Sequence, residues 1–150
     1  MSKTISNLSL ATEIKVEGCD TPLKIDFSDK RIINKLLHLQ SYYASLEDRM
    51  TETIEEAKKI ENPLERVVFI SDHELSLLTE LRDSVNDLFN ANVTGIMFGD
   101  CIPGVERYYG LFEALAPYIK EAVTKQREIL DSVNEKYGLN RLQELPEDAK

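Results

Sequence analysis

From Ile32 onward the apolar residues recur at spacings that alternate between four and three: Ile32, Leu36, Leu39, Tyr43, Leu46, Met50, Thr53, Ala57 and Ile60. This heptad-like seam predicts a helix over about 29–61, with Ser28 or Asp29 as its cap. Ile33, Leu37 and Tyr42 widen the stripe at its start, and the far half is narrower and more polar. Before the seam the period is two. Leu10, Ile14 and Val16 fall on one face with charged residues between them, and Leu23, Ile25 and Phe27 repeat the pattern. Two strands in a hairpin over about 9–27 follow, turning at Gly18-Cys19-Asp20-Thr21-Pro22. A lone hairpin is marginal in water, so this one must pack on the helices.

Asn62-Pro63-Leu64-Glu65 restarts the helical pattern: Asn62 can cap, Pro63 suits the first helical position, and Glu65 sits in the first turn. The expected second helix spans 63–90, with Leu75, Leu78, Val85, Leu88 and Phe89 on its apolar face. Ser71-Asp72-His73-Glu74 is a further capping box, which leaves open whether 63–90 is one helix or two. A third helix is expected over 103–137, opened by Pro103 or Gly104. Its stripe runs Val105, Tyr108, Tyr109, Phe112, Leu115, Ala116, Ile119, Val123, Ile129, Leu130 and Val133. Pro117 is expected to kink it without ending it, because the stripe continues in phase. Gly138 is a plausible stop, and the charged tail 139–150 is expected to fray. The fold class is therefore α+β, mostly α: an N-terminal β-hairpin followed by three long helices, in a single domain over 1–138.

Composition sharpens this picture. A chain of 150 residues suits one domain and can bury roughly 70% of its unfolded surface. With 30% charged residues and only 6 Gly, it fits a helix-rich globular protein. The net charge is −9, and no segment is basic; residues 63–100 alone carry 2 basic and 7 acidic side chains. Nucleic acids and anionic membranes, which draw Lys and Arg onto phosphate, are poor partners for such a surface. No apolar run approaches a membrane span or a signal peptide, and Cys19 and Cys101 read as two free thiols. The expected location is the cytoplasm.

Catalytic chemistry finds no signature. His38 and His73 lack ligand-type residues at helical spacing, so no metal site is indicated. Glu55-Glu56 and Glu47-Asp48 are adjacent on helices, where neighbours point about 100° apart and do not converge. Gly95, Gly99 and Gly104 form no phosphate-binding motif, and no cofactor is indicated. The residues point to no enzyme. Two adjacent aromatics cannot both face one core, so one of each pair, Tyr42–Tyr43 and Tyr108–Tyr109, is left for a surface role.

Ser84–Pro103 is the stretch that asks for a function. It reads as a loop between helices, yet it holds Leu88, Phe89, Val93, Ile96, Met97 and Phe98. Such side chains either dock on the core or meet a partner. The candidate partner-contact residues are Leu88, Phe89, Ile96, Met97, Phe98, Tyr108 and Tyr109, with Ile96 and Met97 the better candidates for an outward role.

Several motifs line up in order. The hairpin ends in Ile25-Asp26-Phe27-Ser28-Asp29, the second helix ends in Asp87-Leu88-Phe89, and the loop ends in Met97-Phe98-Gly99-Asp100. The last helix opens after Pro103 with Tyr108-Tyr109-Gly110-Leu111-Phe112. Over most of residues 10–138 this layout resembles the tail assembly chaperones of long-tailed (siphovirus-type) phages and prophages of Gram-positive bacteria. The family's loop is Gly-rich, whereas here it begins Phe89-Asn90-Ala91-Asn92. Asparagine is the next residue after glycine to accept left-handed backbone, so the turn is expected to survive.

The resemblance implies a non-enzymatic virion-assembly role in the host cytoplasm. Such a chaperone binds the tape-measure protein while the tail tube assembles, with the tail tube protein as a second candidate partner. A rival reading is a structural or adaptor protein that forms a homo-oligomer through its helices and stays in its assembly.

Overall fold

Alternation in the N-terminal segment produces two short strands, β1 (Ala11–Ile14) and β2 (Leu23–Asp26), paired antiparallel with Ile14 opposite Leu23 and Thr12 opposite Ile25. Ile14, Leu23 and Ile25 are buried while Lys24 and Asp26 face water, as a period of two demands. β2 lies against the second long helix, which supplies the support that a two-stranded ribbon needs. The computed structural model describes residues 11–15, 20 and 22–136. Leu10, Val16, Gly18, Cys19, Thr21, Gly138 and the tail therefore lie outside the described residues. Two units make up the chain, Met1–Leu115 and Ala116–Lys150.

In the first unit, Asp26 accepts the Ser28 amide at 2.9 Å and turns the chain into α1 (Lys30–Ala57). Asp29 caps α1 by accepting the Arg31 amide at 2.9 Å. The Arg31 guanidinium, 2.8 Å from the Asp29 carboxylate, is the main reason this carboxyl titrates below its usual range. The seam is turned inward: Leu36, Leu39, Leu46, Thr53 and Ala57 are all buried in this chain's own core. The other members of the seam, Ile32, Tyr43, Met50 and Ile60, are half-buried.

α2 (Pro63–Phe89) is one uninterrupted helix. Asn62 caps it, its Oδ1 accepting the amides of Leu64 at 2.9 Å and Glu65 at 3.1 Å. The capping box at Ser71 is not used. His73 instead hydrogen-bonds the Phe69 carbonyl one turn back, at 2.9 Å. α1 and α2 run antiparallel: Lys35 reaches Asp87 at 3.3 Å and the Tyr42 hydroxyl donates to the Leu77 carbonyl at 2.7 Å. The buried face of α2 is Leu81, Val85, Leu88 and Phe89. Leu75, expected on that face, is 54% exposed. At about 100° per residue, Leu75 projects within about 40° of buried Phe89, so its exposure is set by its place along the helix and not by its direction.

The apolar stretch after α2 is not only loop. It contains α3 (Val93–Phe98), a single short helix where the sequence predicts a loop. After Gly99–Gly104 comes a 3-10 turn, Val105–Tyr108, and then α4 (Tyr109–Lys136). The third long helix thus starts later than the expected residue 103, because Gly104 is extended and the 3-10 turn comes first. In the first unit Tyr108, Leu111, Phe112 and Leu115 are buried, and Phe112 stacks on Tyr43 with ring centroids 3.7 Å apart. In the second unit α4 continues through Pro117 to Lys136. There Ala122 is buried, whereas Val123, Ile129, Leu130 and Val133 are exposed.

Candidate protein-binding surface

The corner after α2 is built from asparagines. Asn90 takes left-handed backbone at φ 52°, ψ 39°. With it there, the Ala91 amide bonds the Asn86 carbonyl and the Asn90 amide bonds the Asp87 carbonyl, each at 3.2 Å. This is the paired closure that glycine usually permits at a helix end. Asn92 then caps α3 by accepting the Gly95 amide at 3.2 Å. Asn86 ties the two helices together: its Oδ1 accepts the Thr94 amide at 3.0 Å and its Nδ2 donates to the Thr94 hydroxyl at 2.9 Å. Thr94 and Val93 are buried by this arrangement. Gly99 leaves α3 at φ 79°, a conformation that side chains rarely adopt.

The seven candidate contact residues divide on this frame. Leu88, Phe89 and Tyr108 are buried, so as folded they hold the corner and present no surface to a partner. Phe98 is half-buried and meets the Tyr108 ring edge-on at 5.1 Å, with the Arg107 guanidinium 5.3 Å above it. Met97 is half-buried. Ile96 and Tyr109 are 55% and 58% exposed. Of the tyrosine pair, Tyr108 goes inward and Tyr109 outward. A groove of about 700 Å3 beside α3 is bordered by Arg82, Asp83, Asn92, Ile96 and Cys101. Cys101 is an exposed free thiol.

Burial raises the titration of three tyrosines, Tyr43 among them, and two of them far. Burial pushes Tyr108 up to about 12, and its hydroxyl finds no hydrogen-bond partner among the described residues. Burial, and next the negative charge of Glu80, push Tyr42 up to about 12. Tyr42 borders a groove of about 490 Å3 between α1 and α2, together with Lys35, His38, Arg49, Glu80 and Asp87. Among the described residues no three His, Cys, Asp or Glu side chains gather where they could hold a metal ion.

Sequence reasoning missed a second apolar surface, on the first half of α2. Leu64, Val67, Val68 and Leu75 are 72%, 61%, 48% and 54% exposed. The signal was present as spacings of four and seven from Leu64 to Val68 to Leu75, set among carboxylates. It lay outside the expected apolar face of the helix, which began only at Leu75. Neither a protein-family model, nor a curated protein, nor a solved structure matches the chain.

Proposed function

We propose that the protein is a tail assembly chaperone of a long-tailed phage or prophage, which binds the tape-measure protein in the host cytoplasm while the tail tube assembles around it. The observation that carries this reading is the corner after α2, the place of the sequence resemblance. Its buried residues, Leu88, Phe89 and Tyr108, fix a frame on which Ile96 and Tyr109 stand exposed. Apolar side chains on a stiff mount suit repeated weak contacts with an amphipathic helix. The net charge of −9 supports solubility of the resulting complex. Among the described residues no helix is long and apolar enough to cross a membrane.

The test is co-expression with a tape-measure protein from a phage tail gene cluster, read by size exclusion with light scattering. A soluble complex holding several copies of this chain per tape-measure molecule is expected. Ile96→Asp with Tyr109→Ser should weaken that complex at least about tenfold while the far-ultraviolet spectrum and melting temperature stay close to wild type. Tape-measure protein that aggregates alike with and without this chain would sink the reading.

A further inference from the structure

The first half of α2 carries an apolar stripe that nothing in the described structure covers. At about 100° per residue, Leu64, Val68 and Leu75 project within roughly 40° of one another, with Val67 at their edge. The four leave on the order of 400 Å2 of apolar surface in water, the size at which a monomer's largest patch is often functional. Of the buried residues of the same helix, Leu81 and Leu88 point about a third of a turn away, whereas Val85 shares the direction of Val67 and Phe89 lies within about 40° of Leu75. The stripe therefore borders the direction of the core face but lies on a part of the helix where that direction is left open to water.

Its borders are charged with one sign. Glu65 and Asp72 flank it on one side and Glu74 on the other, by the same helical geometry. All three are exposed, and none forms an ion pair among the described residues. The cation of these turns, Arg66, is turned to the opposite side, where its guanidinium donates to the Ile60 carbonyl at 2.7 and 3.0 Å. An apolar strip between unneutralised carboxylates selects its occupant by charge. A second copy laid on the same strip would bring carboxylates against carboxylates.

We propose that this face of α2 docks an amphipathic helix of a partner protein whose apolar row is flanked by Lys or Arg. The proposal deepens the chaperone reading by giving that partner a charge pattern and a landing site apart from the corner. Contact follows the helix-in-groove mode, in which apolar anchors three and four residues apart supply affinity and flanking charges supply steering and selection.

Two designed helical peptides test it, sharing one leucine row and differing only in flanks, lysine in one and glutamate in the other. Binding to the full chain is followed by fluorescence anisotropy at low and at high salt. The lysine-flanked peptide should bind at least about tenfold more tightly at low salt, and the difference should shrink in 1 M salt as the charges are screened. Val68→Gln with Leu75→Gln should abolish binding without lowering the melting temperature, since both sites are exposed and glutamine is a good helix former. Asp72→Lys with Glu74→Lys should reverse the preference between peptides.

Equal binding of both peptides, or of neither, overturns the proposal. So does loss of binding on Ile96→Asp but not on the α2 variants. At pH 7.5, where the carboxylates are charged, a wild-type dimer that the glutamine variant dissolves would assign the face to a second copy and overturn it as well. The two readings fail separately. Tape-measure capture that survives the α2 variants leaves the chaperone standing without this face, and peptide binding without tape-measure capture leaves the face standing without the chaperone.

Discussion

Tyr108 and Tyr109 are neighbours in sequence and opposites in environment. The 3-10 turn that ends at Tyr108 buries that ring completely under Phe98 and leaves its hydroxyl unpartnered among the described residues, while Tyr109 begins α4 in water. A buried hydroxyl without a partner costs about 1–3 kcal/mol. Tyr108→Phe keeps the ring and removes that group, so it should leave stability unchanged or raise it by about 1 kcal/mol, as measured by urea titration. A loss of more than that would mean the hydroxyl is held by a bound water or a residue outside those described. The same residue sets an alkaline limit. Its phenol rises from 10.0 to about 12 in the fold, as does that of Tyr42. A raised folded value gives stability that is fully present below pH 10 and lost as pH climbs toward 12. The wild type should weaken over that window, and Tyr108→Phe should weaken less, retaining the shares from Tyr42 and Tyr43. The sequence indicated that one tyrosine of the pair must turn away. Which one it was depended on the local change from 3.6 to 3.0 residues per turn, and no side-chain pattern announces that change.

The elements with strong periodicity and strong caps were legible. α1 follows the heptad seam, and α2 begins where Asn62 and Pro63 said it would. The hairpin, too, follows from alternation. What was not legible is short or two-faced. α3 has only 6 residues, too few for a period to show, and its Asn and Gly read as loop punctuation. Its one sequence signal is the cap, Asn92. The corner that mounts α3 rests on Asn90 in left-handed backbone, so substitutions there should be graded by their tolerance of positive φ. Asn90→Gly should hold or gain up to about 1 kcal/mol, and Asn90→Val should lose about 1–2 kcal/mol or more, checked by thermal melts. If valine is accepted without loss, the left-handed cap does not govern this corner. Loss of the Asn86 bridge to Thr94 should be costlier still, because it strands a buried backbone amide.

For the whole molecule, acidity and exposed apolar surface must be weighed together. A chain of −9 repels its copies, and that repulsion offsets the attraction between faces such as Leu64, Val68 and Leu75. Near the isoelectric point, about 4.8, the repulsion vanishes. Light scattering should therefore find reversible association as pH falls from 7.5 toward 4.8, and Val68→Gln with Leu75→Gln should narrow the range over which it occurs. Association that is equally broad in the variant would place the adhesive surface elsewhere, with Ile129 and Leu130 of α4 the next to try. The composition foretold the acidic character but not its use, since net charge says nothing of which carboxylates border an apolar row. α2 finally makes a statement about how such a protein changes over time. Its second half answers to the core, so drift at Leu81, Val85 and Leu88 is confined to residues of similar volume. Its first half answers to whatever it touches, so Leu64, Val68 and Leu75 are free to change in step with a partner. One helix thus keeps two molecular clocks, and sequences of descendants should show the rate of substitution break near its midpoint.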